Sequence, residues 1–337
     1  MTLPDKCFIL ANPKGKSWDL ANLINERLKN RKPSFEINPI NIKTFRVGED
    51  KPKIENNVRE GWCFYIADSN ENPSDWFTRI ALINQALHIS GAEKIINVLP
   101  HMFYSRQDRK DESRVPISAR IVADIISDHA DHVITLDVHA PQIQGFYDIP
   151  FDSLPSLGTV AGYLERHYPS LLEDDLVIVS PDAGGGKRAE SFARILNNPN
   201  LAIGHKTRAN GKKENKIEKM RFPEEVVKNK NVLMIDDLGD SYGTFCEGAD
   251  ALRELGARKI YGYTTHAFFT NGYNLVLKKL DTLFIGDTIK QPYRNQKIPK
   301  SAKNLITIPF GPLLSEAIYR TSVGASMSDL WDKKIFE

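Results

Sequence analysis

A chain of 337 residues with 41% hydrophobic and 26% charged side chains is ordinary for a globular protein of about two domains, each large enough for its own core. Its 45 Lys and Arg nearly balance its 43 Asp and Glu, so a net charge of +2 carries no general affinity for nucleic acid or membrane, and basic residues that matter must act locally. Three scattered cysteines (Cys7, Cys63, Cys246) form neither a metal-ligand pair nor a disulfide framework, and no apolar stretch reaches the length of a membrane span or signal peptide, which together predict a cytoplasmic protein.

In chain order, strand-like apolar runs alternate with helical patterns. A strand over 7–11 precedes an amphipathic helix over 18–28, with Leu20, Leu23, Ile24 and Leu28 on one face. Then come a strand over 63–67, a helix over 76–87, a strand over 94–99, a helix over 117–126 and a strand over 132–136. The alternation restarts with a strand over 176–179, a helix over 187–196 and a strand over 201–204. It closes with a strand over 232–235, a helix over 243–255 and a strand over 259–263. Two such series predict an α/β protein of two domains, each a mainly parallel sheet flanked by helices. The turn-rich segment 149–158 is the expected join, giving domains of 1–155 and 156–310, with the last ~25 residues packing back on the first. The basic stretch 207–219 reads as a mobile surface segment.

In open α/β sheets ligands sit beyond the carboxyl ends of the strands, and every polar cluster of this chain falls at such a place. Most telling is Val232-Leu-Met-Ile-Asp-Asp-Leu-Gly-Asp-Ser-Tyr-Gly-Thr244, an apolar run ending in two acids and a short loop into a helix. Backbone N–H groups and hydroxyls there point at a bound anion, and paired carboxylates suit two sugar hydroxyls or a magnesium ion; a ribose 5-phosphate ester would fill such a site. A plain βα loop whose acids cap the helix is the alternative. Ser180-Pro-Asp-Ala-Gly-Gly-Gly-Lys-Arg188 is a second strand–loop–helix with glycines that let backbone approach a diphosphate, though it is no Walker A sequence. Tyr104-Ser-Arg-Gln-Asp-Arg-Lys-Asp-Glu-Ser-Arg114 gathers four cations that a polyphosphate would hold together; a solvated charged loop is the equal reading. Asp137 and His139, two apart at a strand end and so on one side, can share a metal or meet phosphate, or serve structure alone. His205-Lys-Thr-Arg208 offers cations that either close over a transferring phosphoryl group or simply solvate the surface.

Together these segments resemble the ribose-phosphate diphosphokinase (phosphoribosyl diphosphate, PRPP, synthetase) family nearly from end to end. The resemblance rests on Phe103-Tyr-Ser-Arg-Gln-Asp108, Ser113-Arg-Val-Pro-Ile-Ser118, Thr135-Leu-Asp-Val-His-Ala140, Gln142-Ile-Gln-Gly-Phe146, Ser180-Pro-Asp-Ala-Gly-Gly185, Lys206-Thr-Arg208 and the acidic loop. It implies two phosphoribosyltransferase-type domains, dimer-based homo-oligomers up to hexamers, and a Mg2+-dependent reaction. In that reaction the β,γ-diphosphate of ATP moves to the 1-hydroxyl of ribose 5-phosphate and AMP is released. Carried over by position, Phe45, Glu49, Arg106, Gln107 and Asp111 hold ATP, with Arg109 and Lys110 near its phosphates. His139 and Asp182 bind magnesium, and Asp182, Ala183, Gly184 and Gly185 form the diphosphate loop. Lys206 and Arg208 stabilise the transferring phosphorus; Asp236 and Asp237 take the ribose hydroxyls, and Asp240, Ser241, Tyr242, Gly243 and Thr244 the 5-phosphate.

Two departures stand out. In Phe45-Arg-Val-Gly-Glu49, Val47 replaces the polar residue expected beside the base. In the phosphate loop Tyr242 stands where a small residue is usual, and Gly239 where a larger one is common. A phenol beside the 5-phosphate opens an alternative acceptor, a larger 5-phosphoribosyl compound such as ADP-ribose in NAD salvage. In the leading reading Tyr242 turns outward. A non-catalytic regulatory homologue is the third reading, opposed by the intact Lys206, Arg208, His139, Asp182 and loop acids. A phosphoribosyltransferase proper would leave Arg106 to Lys110 without a task.

Overall fold

The computed structural model describes residues 4–173, 175–208, 217–290 and 302–332, with backbone alone at 206–208 and 217–219. The chain divides into two compact units, one running to Pro155 and including Phe310–Trp331, the other Ser156–Pro309.

The first unit holds β1 (Lys6–Ala11), α1 (Trp18–Leu28), β2 (Ser34–Thr44), β3 (Asp50–Ile54), β4 (Trp62–Ile66), α2 (Pro73–Ile89), β5 (Lys94–Leu99), α3 (Ser118–Ser127), β6 (His132–Leu136) and β7 (Phe151–Leu154). They form one sheet in the order β3-β2-β1-β4-β5-β6-β7, parallel throughout except for the β2–β3 hairpin. The central strands are apolar runs because both faces are covered: every residue of β4 is buried, as are the last five of β1 and of β5. Asn72 opens α2 by accepting the N–H of Ser74, with Pro73 at the first helical position, and the helix buries Trp76, Ile80, Ile83 and Leu87. Two buried amides, Asn84 of α2 and Asn97 of β5, satisfy each other by exchanging bonds of 2.9 and 2.8 Å.

The second unit runs α4 (Leu157–His167), β8 (Leu176–Ser180), α5 (Gly186–Ile195), β9 (Leu201–Ile203), β10 (His205–Arg208), β11 (Ile217–Arg221), α6 (Glu224–Val227), β12 (Asn231–Gly239), α7 (Gly243–Glu254), β13 (Lys259–Ala267), α8 (Asn274–Lys279), β14 (Thr282–Gly286) and β15 (Leu305–Ile308). Its main sheet, β15-β14-β13-β12-β8-β9, is parallel throughout. The chain then returns to the first unit as α9 (Gly311–Val323), which packs on α1. Gly311 lies there under Leu20 and Leu23, and Arg31 bonds Glu316 at 3.1 Å and covers the ring of Tyr319 at 4.3 Å.

Three local expectations need correction. The stretch 207–219 is not simply a surface segment: its ends belong to β10 and β11, an antiparallel ribbon pairing Lys206 with Met220, where Met220 and Phe222 reach the core. Residues 209–216 lie outside the described residues. The period-two reading of Asp137 and His139 lapses because β6 stops at Leu136 and Asp137 takes φ 38°. The strand expected over 232–235 continues to Gly239, since β13 pairs with it that far (Asp236 with Thr264, Gly239 with Ala267), so the two acids sit on the strand rather than in the loop.

Among the described residues no helix is long and apolar enough to cross a membrane, and the three cysteines are buried thiols. Burial pushes the Cys7 and Cys63 thiols up to about 12 and Cys246 to about 11, which leaves them protonated and unreactive at neutral pH.

Candidate active site

In the first unit two features extend from the sheet. The β2–β3 hairpin ends in a five-residue loop whose Phe45, Arg46, Val47 and Glu49 are all exposed, Val47 at 81%. The Phe45 N–H bonds the Glu49 carbonyl at 2.8 Å and Gly48 closes the turn at φ 94°. Arg79 of α2 anchors the hairpin base: it donates through Nε to Asp50 at 2.7 Å and through Nη1 to Glu71 at 2.5 Å. Burial pushes Glu71 up to about 7 even though Arg79 pulls the other way.

The second feature is the loop after β5. Phe103 wedges edge-on against Trp76 and His101, with ring centroids 5.4 and 5.0 Å away, which roots the loop in the core. Beyond it Arg106, Gln107, Arg109, Lys110 and Asp111 are exposed. Ser118 donates to the Gln107 amide oxygen at 2.5 Å and Gln142 to Asp108 at 2.8 Å, so the start of the cationic run has a fixed shape. His139 is exposed just beyond β6, and the neighbouring Val138 N–H is held by Ser153 Oγ at 3.0 Å.

In the second unit two strand–loop–helix turns lie side by side at the carboxyl edge, because β8 and β12 are neighbours. The first is tight for a steric reason. A Cβ on Gly185 would come within 2.6 Å of Ser180 Oγ and would have to push it off the Asp182 carbonyl that it bonds at 2.6 Å. Asp182 spans the turn, its Oδ1 accepting the Gly185 N–H at 3.1 Å, while Ala183 and Gly184 are exposed before α5 begins.

The acids sit at the end of β12, just before the second turn. Asp237 is buried and Asp236 half-buried, and one guanidinium serves both: Arg188 Nη1 lies 2.9 Å from Asp237 and 3.3 Å from Asp236. Burial, and next the charge of Asp237, hold the Asp236 carboxyl well above the usual carboxylate range, with Arg188 opposing. The pair therefore retains a proton to higher pH than an isolated aspartate, and its remaining charge meets the arginine. Arg188 is the site residue that the sequence reading passed over. Its one sequence signal was its place beside the apolar stripe Ala189, Phe192 and Ala193 that packs α5 down, which does not specify its partners.

Past the acids, Asp240 is tied to the loop after β13. Thr270 donates to its Oδ1 at 2.7 Å and Thr270 N–H to its carbonyl at 2.9 Å. Ser241 and Gly243 are exposed and Thr244 half-buried around the N-terminus of the twelve-residue α7, where the Gly243 N–H meets Ser241 Oγ at 3.4 Å and the positive end of the helix dipole favours an anion. Tyr242 departs from both expectations: its ring neither turns outward nor reaches past the loop. It is 3% exposed, with its hydroxyl 2.7 Å from Thr264 Oγ1 and its ring stacked on Phe269. Only its backbone remains at the site.

The backbones of Lys206 and Arg208 lie in β10, opposite Met220 and Ile217, and their side chains lie outside the described residues.

Comparison with known proteins bears on the whole chain. The family model for the N-terminal domain of ribose phosphate pyrophosphokinase matches residues 13–129, and that for the phosphoribosyl synthetase-associated domain matches 215–332. A ribose-phosphate pyrophosphokinase of Hyphomonas neptunium is 37% identical over 295 residues, covering 87% of this chain and 91% of the relative. Ribose-phosphate pyrophosphokinase 1 of Streptococcus pyogenes serotype M1 is 35% identical over 299 residues, covering 86% and 89%. The crystal structure of phosphoribosylpyrophosphate synthetase from Mycobacterium smegmatis superposes with a TM-score of 0.79 at 28% identity, over 95% of this chain and 99% of that one. With two phosphoribosyltransferase-type α/β units and relatives matched over most of their length, the chain belongs to the ribose-phosphate pyrophosphokinase family of diphosphotransferases.

Proposed function

We propose that this protein transfers the β,γ-diphosphoryl group of ATP to the 1-hydroxyl of ribose 5-phosphate, giving PRPP and AMP. The observation that carries the acceptor side is the β12–α7 turn. It sets a half-neutralised acid pair, suited to two adjacent hydroxyls, a few residues before an exposed helix N-terminus suited to a phosphate dianion. The sugar hydroxyl oxygen forms the new bond to the β-phosphorus, the bond from that phosphorus to the α,β-bridging oxygen breaks, and AMP leaves with the electron pair. The hydroxyl proton passes to solvent or to the acid pair, whose Asp236 carboxyl takes up a proton more readily than an isolated aspartate.

The remaining residues position and neutralise. Phe45 and Glu49 on the hairpin and Arg106, Gln107, Arg109, Lys110 and Asp111 on the cationic loop take the nucleotide, and Asp182 to Gly185 cradle the diphosphate. Lys206 and Arg208 meet charge that develops on the transferring group. The donors present suit Mg2+: His139 is exposed, and Asp182 is oriented by Gly185. An ion that draws most ligands from phosphate and water needs only one or two protein donors, so His139 in the first unit and Asp182 in the second would each serve as a ligand to such an ion. Such an ion neutralises the triphosphate so that an oxygen nucleophile can approach. A cytoplasmic, dimer-based homo-oligomer completes the reading.

Burial of the Tyr242 phenol removes the feature that pointed to ADP-ribose, and a terminal phosphate with two charges is the better match to the exposed N–H groups. The test is kcat/KM for AMP release with ribose 5-phosphate and with ADP-ribose. Ribose 5-phosphate should lead by at least about tenfold, roughly 1.4 kcal/mol; a preference for ADP-ribose overturns the acceptor assignment.

A further inference from the structure

Gly239 and Tyr242 touch across the loop after β12. A Cβ on Gly239 would lie 2.6 Å from Tyr242 Cε1 and closer still to Cζ and Oη, so the phenol occupies the space that a larger residue at 239 would need. Tyr242 itself takes φ 60° and ψ 15°, a left-handed conformation that a bulky residue holds only when its surroundings over-determine it. Here they do. The ring stacks on Phe269 with centroids 4.6 Å apart and meets Phe245 edge-on at 5.6 Å. Its hydroxyl reaches Thr264, a fully buried residue of β13. The backbone on either side is tied to the same loop: Phe268 N–H bonds the Gly239 carbonyl at 2.8 Å and Thr270 N–H the Asp240 carbonyl at 2.9 Å. Between these ties and the start of α7 the exposed backbone has one shape, and the Tyr242 side chain sets it from beneath.

We propose that Tyr242, seated over Gly239, is a positioning residue for the acceptor phosphate: a core latch that fixes the backbone N–H groups at the start of α7. The inference rests on the proposed function for the identity of the acceptor. Its physical content is that the space beside position 239 is filled by the side chain at 242. The two positions are therefore a single steric pair.

Gly239→Ala, Tyr242→Phe and the double variant Gly239→Ala/Tyr242→Ser test it, by steady-state kinetics in both substrates and by Tm. Gly239→Ala evicts the ring and should raise KM for ribose 5-phosphate at least about tenfold, with kcat and KM for ATP within about threefold of wild type. Tyr242→Phe loses only the Thr264 bond and should raise the same KM severalfold. Adding Tyr242→Ser to Gly239→Ala relieves the clash but leaves no ring, so Tm should fall no further than in Gly239→Ala while KM for ribose 5-phosphate stays raised. An unchanged acceptor KM in both single variants overturns the latch, as does a double variant whose acceptor KM returns to wild type. If Gly239→Ala does not fold, Tyr242→Phe and the double variant carry the same test. If wild type releases no AMP with ribose 5-phosphate, the functional reading fails. Calorimetric binding of ribose 5-phosphate and the Tm coupling of the pair then decide the latch separately.

Discussion

Replacing Arg188 with Met keeps the stem of the side chain and removes a cation that the structure places on Asp236 and Asp237. Removing a partner from a fully buried charge costs about 3–5 kcal/mol. This site is milder, because the Arg188 side chain is 19% exposed and the acid pair can take up a proton. The charge-assisted bond at 2.9 Å then sets the scale, about 2 kcal/mol, or about 4–8 °C in the Tm of a unit of this size. The loss must depend on pH. At pH 8 the pair is most charged and the variant should show the full drop, whereas near pH 5 protonation replaces the missing cation and the drop should shrink by half or more. Thermal unfolding of both proteins at the two pH values reads this directly. A Tm unchanged within 1 °C at pH 8, or an equal loss at both pH values, would refute the electrostatic account of this arginine.

Lys206→Ala and Arg208→Ala should each cut turnover at least about a hundredfold with KM for ATP nearly unchanged, since a contact made mainly in the transition state is worth roughly 3 kcal/mol. Weakened ATP binding with turnover intact would make the pair a ground-state clamp instead. Activity should vanish in excess chelator, return with Mg2+, and fall steeply in Asp182→Ala; full activity in chelator would end the magnesium assignment. Glu71, raised to about 7 by burial, binds its proton more tightly folded than unfolded. Its stabilising contribution is therefore complete below about 4.5 and is lost as pH climbs to about 7, on the order of 3 kcal/mol in all. Glu71→Gln should flatten the Tm profile over that window, and an unchanged profile would show that Glu71 does not titrate there.

What the sequence made legible follows burial. β5 and β6 and helix α1 lie where the apolar pattern put them, because strands covered on both faces must be continuous apolar runs and a helix on a core needs a stripe. The β2–β3 hairpin escaped notice since its residues are largely exposed or half-buried and Pro39 interrupts the run. β14 and β15 were missed too; both are short, and β15 is only partly buried. At the site, residue types and their order pointed to the two turns beyond β8 and β12. Direction was not legible. No spacing rule says that the Tyr242 ring turns inward over Gly239, or that Arg188 reaches across from α5 to the acids of β12, because both depend on contacts between segments distant in the chain.

The central claim concerns which group moves and to where, and phosphorus NMR of one reaction mixture tests it. With ATP, Mg2+ and ribose 5-phosphate, each ATP consumed should yield one AMP and one diphosphate ester carried on a sugar that keeps its 5-phosphate. ADP together with a second sugar monophosphate would mean transfer of the γ-phosphoryl group alone and would contradict the account.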